Sequence, residues 1–354
     1  MIKFISHNNF IRLLAQLNKD YRVYVPVKRE DKRFYGRFEN TPTEDIVIGE
    51  VRAFEPLKAF FFKGREKVAD GFKADMPSSG DKPFAIVGVK ACDLKGFKVQ
   101  DYVFSAKSGT TPDGTNNDDT DPFYLQMRDK NLIISSDCTC VIDTCFCLAL
   151  GVKPYPQDDF DINLSQINGG FIVESSSEKG EKVIQQNLSL MEESTKGKLS
   201  ERDKQRDKVV KQIEKNIQEN DIPSQKVFEG IIEKNYDSGI WEEEAKTCVE
   251  CGACNTICPT CHCFLLYDQK DAKKMARFRI WDSCMVKDFA RVAGGANPRH
   301  KLWMRLRNRF EKKFDFFPKV ANLYACTGCG RCISACPAKI DIRKVLKKLV
   351  DNKK

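Results

Sequence analysis

Two stretches of this 354-residue chain repeat one spacing of a metal-binding residue. Cys248-Val-Glu-Cys251-Gly-Ala-Cys254-Asn-Thr-Ile-Cys258-Pro259 reads C-x2-C-x2-C-x3-C-P, and Cys326-Thr-Gly-Cys329-Gly-Arg-Cys332-Ile-Ser-Ala-Cys336-Pro337 repeats it. Three thiolates at two-residue gaps can wrap one iron–sulfur cubane while their amides turn toward its sulfurs. The fourth cysteine opens the next helix and points away. In two-cluster ferredoxins it ligates the other cluster. The spacing therefore predicts two 4Fe–4S clusters. Cys248, Cys251 and Cys254 with Cys336 hold one; Cys326, Cys329 and Cys332 with Cys258 hold the other. Gly252, Gly328 and Gly330 let the backbone approach the inorganic core, and Pro259 and Pro337 end each run at a bend. The alternative is structural zinc, which uses two C-x2-C pairs rather than three cysteines in register.

The other eight of the sixteen cysteines fall into two groups. Cys92, Cys138, Cys140, Cys145 and Cys147 lie in the first half, ahead of 100 residues without cysteine. Cys92, Cys138 (or Cys140), Cys145 and Cys147 can supply a third 4Fe–4S cluster; a structural zinc or unligated thiols are the other readings. Cys261, Cys263 and Cys284 follow the first run. They are extra ligands or a redox-active pair, or thiols packed as small hydrophobes. Only His7, His262 and His300 could add imidazole, so mixed Cys/His sites and histidine acid–base chemistry have little material.

Composition narrows the class. Hydrophobic residues make up 41% and charged residues 31%, which suits a folded protein with real cores. The opening MIKFISHNNF lacks the pattern of a signal peptide, and no apolar run approaches the roughly 18 residues of a membrane span. A cytoplasmic location is expected, where thiols stay reduced and a high cysteine count means metal or redox chemistry. Net charge is +9, and residues 299–319 carry eight Lys/Arg against two Asp/Glu. That run is a docking face for an acidic partner, compensation for negatively charged clusters, or a solvated basic helix. No nucleic-acid module accompanies it. No GxGxxG or GxxxxGK[ST] loop is present, so no nucleotide is expected. No catalytic side-chain arrangement stands out.

The elements that must hold these residues can be sketched. The first ~175 residues read as α/β, with strands in YRVYVPV, DIVIGE, FAIVGV and NLIISS. KACDLKGFKVQDYVF has helical spacing, which puts Cys92 at the carboxyl end of a strand, where such folds place ligands. TPDGTNNDDTDP reads as a polar loop, and FDINL with GGFIVES as a hairpin turning at Asn168–Gly169–Gly170. Glu178 to about Asn220 reads as charged, solvated helix. The 67 residues between the two runs look largely helical, including AKKMARFRIW and KDFARVAGG. The expected architecture is an α+β or α/β domain (1–175), a charged helical connector (176–240) and a mainly helical two-cluster ferredoxin-like domain (241–354).

An ordered set of motifs resembles one group of proteins. It comprises Gly88-Val-Lys-Ala-Cys92-Asp93-Leu, Cys145-Phe-Cys147, Trp241-Glu-Glu-Glu-Ala-Lys-Thr-Cys248, Cys258-Pro-Thr-Cys261-His-Cys263, Trp281-Asp-Ser-Cys284, Val292-Ala-Gly-Gly-Ala-Asn297 and Cys326 to Pro337. The set is similar to the beta (iron–sulfur) subunit of cytoplasmic sulfhydrogenases and NAD(P)-linked nickel–iron hydrogenases. The iron–sulfur electron-transfer component of anaerobic sulfite reductase is a close relative of that group. The likeness runs from about Pro56 to the C-terminus and is weakest across 150–240. It implies an anaerobic electron-transfer subunit of a multisubunit complex. The implied partners are a flavin subunit handling NAD(P)H and a catalytic subunit, nickel–iron or sirohaem, with no nucleic acid and no membrane span. It also implies the third cluster at Cys92, Cys138 (or Cys140), Cys145 and Cys147, although Cys138-Thr-Cys140 is doubled where the group has one cysteine. Two other readings stand beside it: a subunit of a heterodisulfide-reductase-type complex, and a reductase of sulfur or disulfides using Cys261, Cys263 and Cys284.

Overall fold

Strand Phe84–Val89 is buried at all six positions because both faces of its sheet are covered. Its side chains alternate. Phe84 and Ile86 enter a core with Phe61, Leu94, Phe97 and Tyr124, while Ala85 and Val87 enter another with Phe10, Leu14, Val183 and Ile184. The computed structural model describes residues 1–71, 73–74, 81–105, 120–271 and 274–352. Most of the polar segment TPDGTNNDDTDP lies outside the described residues.

The large sheet has eight strands. From edge to edge they are Glu192–Glu193, Ile2–Ser6, Gly170–Ser175, Ile162–Ile167, Leu132–Ser136, Phe84–Val89, Arg22–Arg29 and Lys32–Arg37. The four strands from Ile162–Ile167 to Arg22–Arg29 run parallel, and the flanking strands pair antiparallel. The hairpin of Ile162–Ile167 and Gly170–Ser175 turns through Gly169 at φ 80°. DIVIGE is not a strand. It makes one isolated bridge, Val27 to Ile46, and otherwise turns over the sheet. Its apolar residues are there to cover a core, and Ile48 is buried.

The charged region 178–220 is helical, as Glu178–Gln186 and Lys196–Glu219, but it is not simply solvated. Val209 and Ile213 of the long helix are buried against Ala91, Cys147 and Val152. Arg206 pairs with Asp137 at 2.7 Å, and Asn216 donates to the carbonyls of Asp143 and Cys145. The helix is thus fastened across the loop that carries the N-terminal cysteines.

The carboxyl half has a helical core in which Trp241 and Phe310 pack with Leu306, Phe314, Val345 and Leu346. The connection between the cysteine runs corrects the expectation of a mainly helical domain. AKKMARFRIW forms strand Lys274–Trp281, paired antiparallel with Phe264–Asp271, and KDFARVAGG is turns. In AKKMARFRIW, Ala276, Phe278 and Ile280 alternate with Met275, Arg277 and Arg279, and period two prevails because a third strand, Arg65–Asp70, waits some 200 residues upstream. Arg279, buried in this sheet, pairs with Glu66 and Asp121. Among the described residues no helix is long and apolar enough to cross a membrane.

Candidate metal centre

The first run leaves helix Ile240–Ala245 and turns at Gly252, φ 71°, into the short helix Ala253–Thr256. Cys248, Cys251, Cys254 and Cys336 line one pocket. Its other walls are largely apolar, including Met285, Leu306, Phe310, Ile340 and Ile342, with Cys332 and Arg309 toward the second run. Cys251 is exposed. The second run turns at Gly330, φ 69°, into helix Arg331–Ser334. Burial pushes the Cys326 thiol up to about 12, and Lys313, Cys332 and Cys258 are its charged neighbours. Cys332 has Cys329 and Cys258 as neighbours in turn. The first set of four thus lines one pocket, and Cys326, Cys329, Cys332 and Cys258 of the second lie within electrostatic reach of one another.

The N-terminal cysteines stand at the carboxyl ends of adjacent parallel strands. Cys92 lies in the first turn of helix Ala91–Phe104 after Phe84–Val89. Cys138, Cys140 and Cys145 follow Leu132–Ser136, and Cys147 opens the short helix Cys147–Leu150. Cys138 is close enough to act electrostatically with Cys92, Cys145 and Cys147. Cys140 acts in the same way on Cys138 and Cys145. This group abuts the second run. Phe146 N–H donates to Gly328 O at 3.0 Å, and Cys329 neighbours both Cys92 and Cys145. Cys332 in turn neighbours Cys254 of the first set.

Cys261 and Cys284 meet at Asn255. Its Nδ2 donates to Cys284 Sγ at 3.1 Å, and Cys261 Sγ donates to its Oδ1 at 3.6 Å. Cys263 neighbours Cys284. The His262 ring lies near Phe104 and Phe317, Nδ1 faces Thr260 O, and burial pushes its pKa down to about 4.

Three buried cations lie beside these cysteines. Lys58, Arg309 and Lys313 are buried, at 3%, 5% and 4% exposure. Lys313 Nζ donates to Cys258 Sγ at 3.3 Å, Thr260 Oγ1 at 2.9 Å and Ala325 O at 2.9 Å. Lys58 Nζ donates to Cys261 O at 2.8 Å and Asn255 O at 3.2 Å. Arg309 donates to Asn255 Oδ1 and Cys254 O. Among the described residues none of the three has a carboxylate partner. A buried charge without a counter-charge is costly, so this trio fits an anionic group held by the thiolates. Burial disfavours the Lys313 ammonium, yet Cys258 and Cys261 hold its pKa well above the usual lysine value. Cys258 is held well below the usual thiol range, by the Cys261 hydrogen bond first and then by Lys313 and Arg309. Burial instead pushes Cys138 and Cys254 up to about 12. Arg309 and Lys313 did leave a trace in the sequence, as two members of the basic run four residues apart. Lys58, inside EPLKAFFF, left none. Among the described residues no group of three or more His, Cys, Asp or Glu is placed to hold a single metal ion.

Residues 247–340 match the 4Fe-4S dicluster domain family. Over 340 residues, 95% of each chain, the sequence is 29% identical to the sulfhydrogenase 2 subunit beta of Pyrococcus furiosus. The chain thus carries a 4Fe–4S dicluster domain in its carboxyl half and is similar along nearly its whole length to a sulfhydrogenase beta subunit.

Proposed function

We propose that this chain is the iron–sulfur electron-transfer subunit of a cytoplasmic multisubunit oxidoreductase. It relays single electrons between a flavin subunit handling NAD(P)H and a catalytic metal subunit of nickel–iron hydrogenase type. Each 4Fe–4S cluster, when bound, supplies one-electron chemistry. The protein's part is to hold the sites adjacent and exclude water between them. The observation that carries the reading is contiguity. Phe146 N–H bonds to Gly328 O of the second run, Cys329 lies within electrostatic reach of Cys92 and Cys145, and Cys332 lies within reach of Cys254 in the first run. We assign a third 4Fe–4S cluster to Cys92, Cys138, Cys145 and Cys147, with Cys138 favoured over Cys140 because the other three all neighbour it. The exposed Cys251 makes the first site the end that meets a partner.

Iron and acid-labile sulfide analysis of anaerobically purified protein tests the assignment. Three four-iron cubanes give about twelve irons per chain, whereas about eight would remove the N-terminal site. The co-purifying chains test the partners: a nickel–iron subunit is expected, and a sirohaem protein would move the reading to anaerobic sulfite reductase. If the isolated chain reduced polysulfide or a disulfide with a chemical reductant, the relay reading would fail in favour of thiol catalysis.

A further inference from the structure

Lys313 is fastened to both arms of the second site. Its three acceptors are Cys258 Sγ, Thr260 Oγ1 two residues on, and Ala325 O, the carbonyl just before Cys326. It sits where helix Leu302–Glu311 widens into a π-helical segment, Lys312–Phe316, before continuing as Phe317–Ala321. Such insertions are frequent at functional sites. Lys58 comes from the far end of the sequence, lies 4.4 Å over the Trp281 ring, and donates to the carbonyls of Asn255 and Cys261 on either side of Cys258. Neither ammonium has a carboxylate partner among the described residues. Among the described residues no ammonium donates to a sulfur of the first site, whose buried cation, Arg309, donates to the Cys254 carbonyl instead. Cys251 is exposed, and Glu250 beside it is paired with Arg305 at 2.7 Å, so the two charges cancel.

We propose that Lys313, assisted by Lys58, sets the second site (Cys326, Cys329, Cys332 and Cys258) at a higher reduction potential than the first, making it the station where an electron rests. This rests on the cluster assignment above. Reduction adds one negative charge to the site. A fixed positive charge in a water-excluded setting stabilises the more negative state and is little screened by salt. A hydrogen bond to a ligand sulfur acts in the same direction. Lys313 is a positioning residue that acts through Cys258, and its charge rather than its bulk carries the effect.

The test is a redox titration of the full chain, followed by electron paramagnetic resonance, with the second site's signal marked by Cys329→Ser. In Lys313→Met the midpoint of that signal should fall by at least the ~59 mV that equals a tenfold change for a one-electron couple. Iron content and the first site's midpoint should stay as in the parent. Lys313→Gln should show most of the shift, and Lys313→Arg should restore at least half of it. Unchanged midpoints with full iron would overturn the proposal. So would loss of about four irons in both charge-free variants, which would make the lysine a holding group only. Should Lys313→Met fail to fold, Lys58→Met carries the same test, with a shift in the same direction expected and no shift overturning the proposal. A parent chain without iron would instead sink the cluster assignment itself.

Discussion

The two cysteine runs have one spacing and two surroundings. The first is set against side chains: a Cβ at Gly252 would meet Ser283 Cβ and Oγ at 3.2 Å. The second is set against backbone: a Cβ at Gly328 would lie 2.5 Å from Cys147 Cα, and one at Gly330 would run into Thr144 O. The first is tied down by Glu250–Arg305, whose carboxylate is 36% exposed. The second is tied down by Arg331–Asp93 at 2.7 Å, with both side chains essentially inaccessible. Arg331 also donates to the carbonyls of Ala53, Phe54 and Glu55, and Arg52 donates to Cys329 O. A motif therefore specifies ligand geometry, while the chain packed behind it decides rigidity, exposure and charge.

That contrast can be broken in several ways. Complete removal of iron should have the largest effect, since the loops of such sites are held by their metal; both runs should lose their fold by circular dichroism and proteolysis. Under limiting chelator the loss should be biphasic, with about four irons leaving first from the exposed site of Cys251. A single phase would mean that exposure does not separate the two. Next, Arg331→Met leaves Asp93 buried without its partner and should cost roughly 3–5 kcal/mol, read from the urea midpoint. Gly330→Ala combines left-handed strain with a backbone clash and should cost roughly 2–5 kcal/mol. Gly252→Ala has the same strain, but a side chain that can yield, and should cost roughly 1–2 kcal/mol. Equal losses at the two glycines would erase the distinction. The smallest effect is expected of Glu250→Gln, about 1 kcal/mol or less, because its pair is half-exposed and Arg305 keeps the carbonyls of Met285, Arg299 and His300.

Parts of this arrangement were legible in the sequence for identifiable reasons. FAIVGV is a strand because six consecutive apolar residues fit only a sheet covered on both sides. The helix after it follows from apolar spacing, so Cys92 at a strand's carboxyl end was legible too. DIVIGE misled because an apolar run marks burial, not pairing; its backbone instead serves the site, with Ile48 O accepting from Lys90 Nζ and Ser136 Oγ. AKKMARFRIW misled because short runs satisfy more than one period, and its decisive neighbour, Arg65–Asp70, belongs to the other half of the chain. The basic run 299–319 is not a solvated helix: Arg305, Arg309 and Lys313 are buried, Arg309 donates to the Cys254 carbonyl and Lys313 to Cys258 Sγ, which favours the charge-compensation reading.

By itself the sequence determined the two cysteine runs and their local turns, because spacing within twelve residues is a short-range property that glycine and proline fix in place. Only the tertiary structure decided which sites touch, which sulfur faces water and which faces an ammonium. Those outcomes depend on residues such as Lys58, Asp93, Thr144 and Arg331, brought together across up to 270 or so positions by two cores and a sheet edge. Burial and charge act through space, so no spacing rule along the chain contains them.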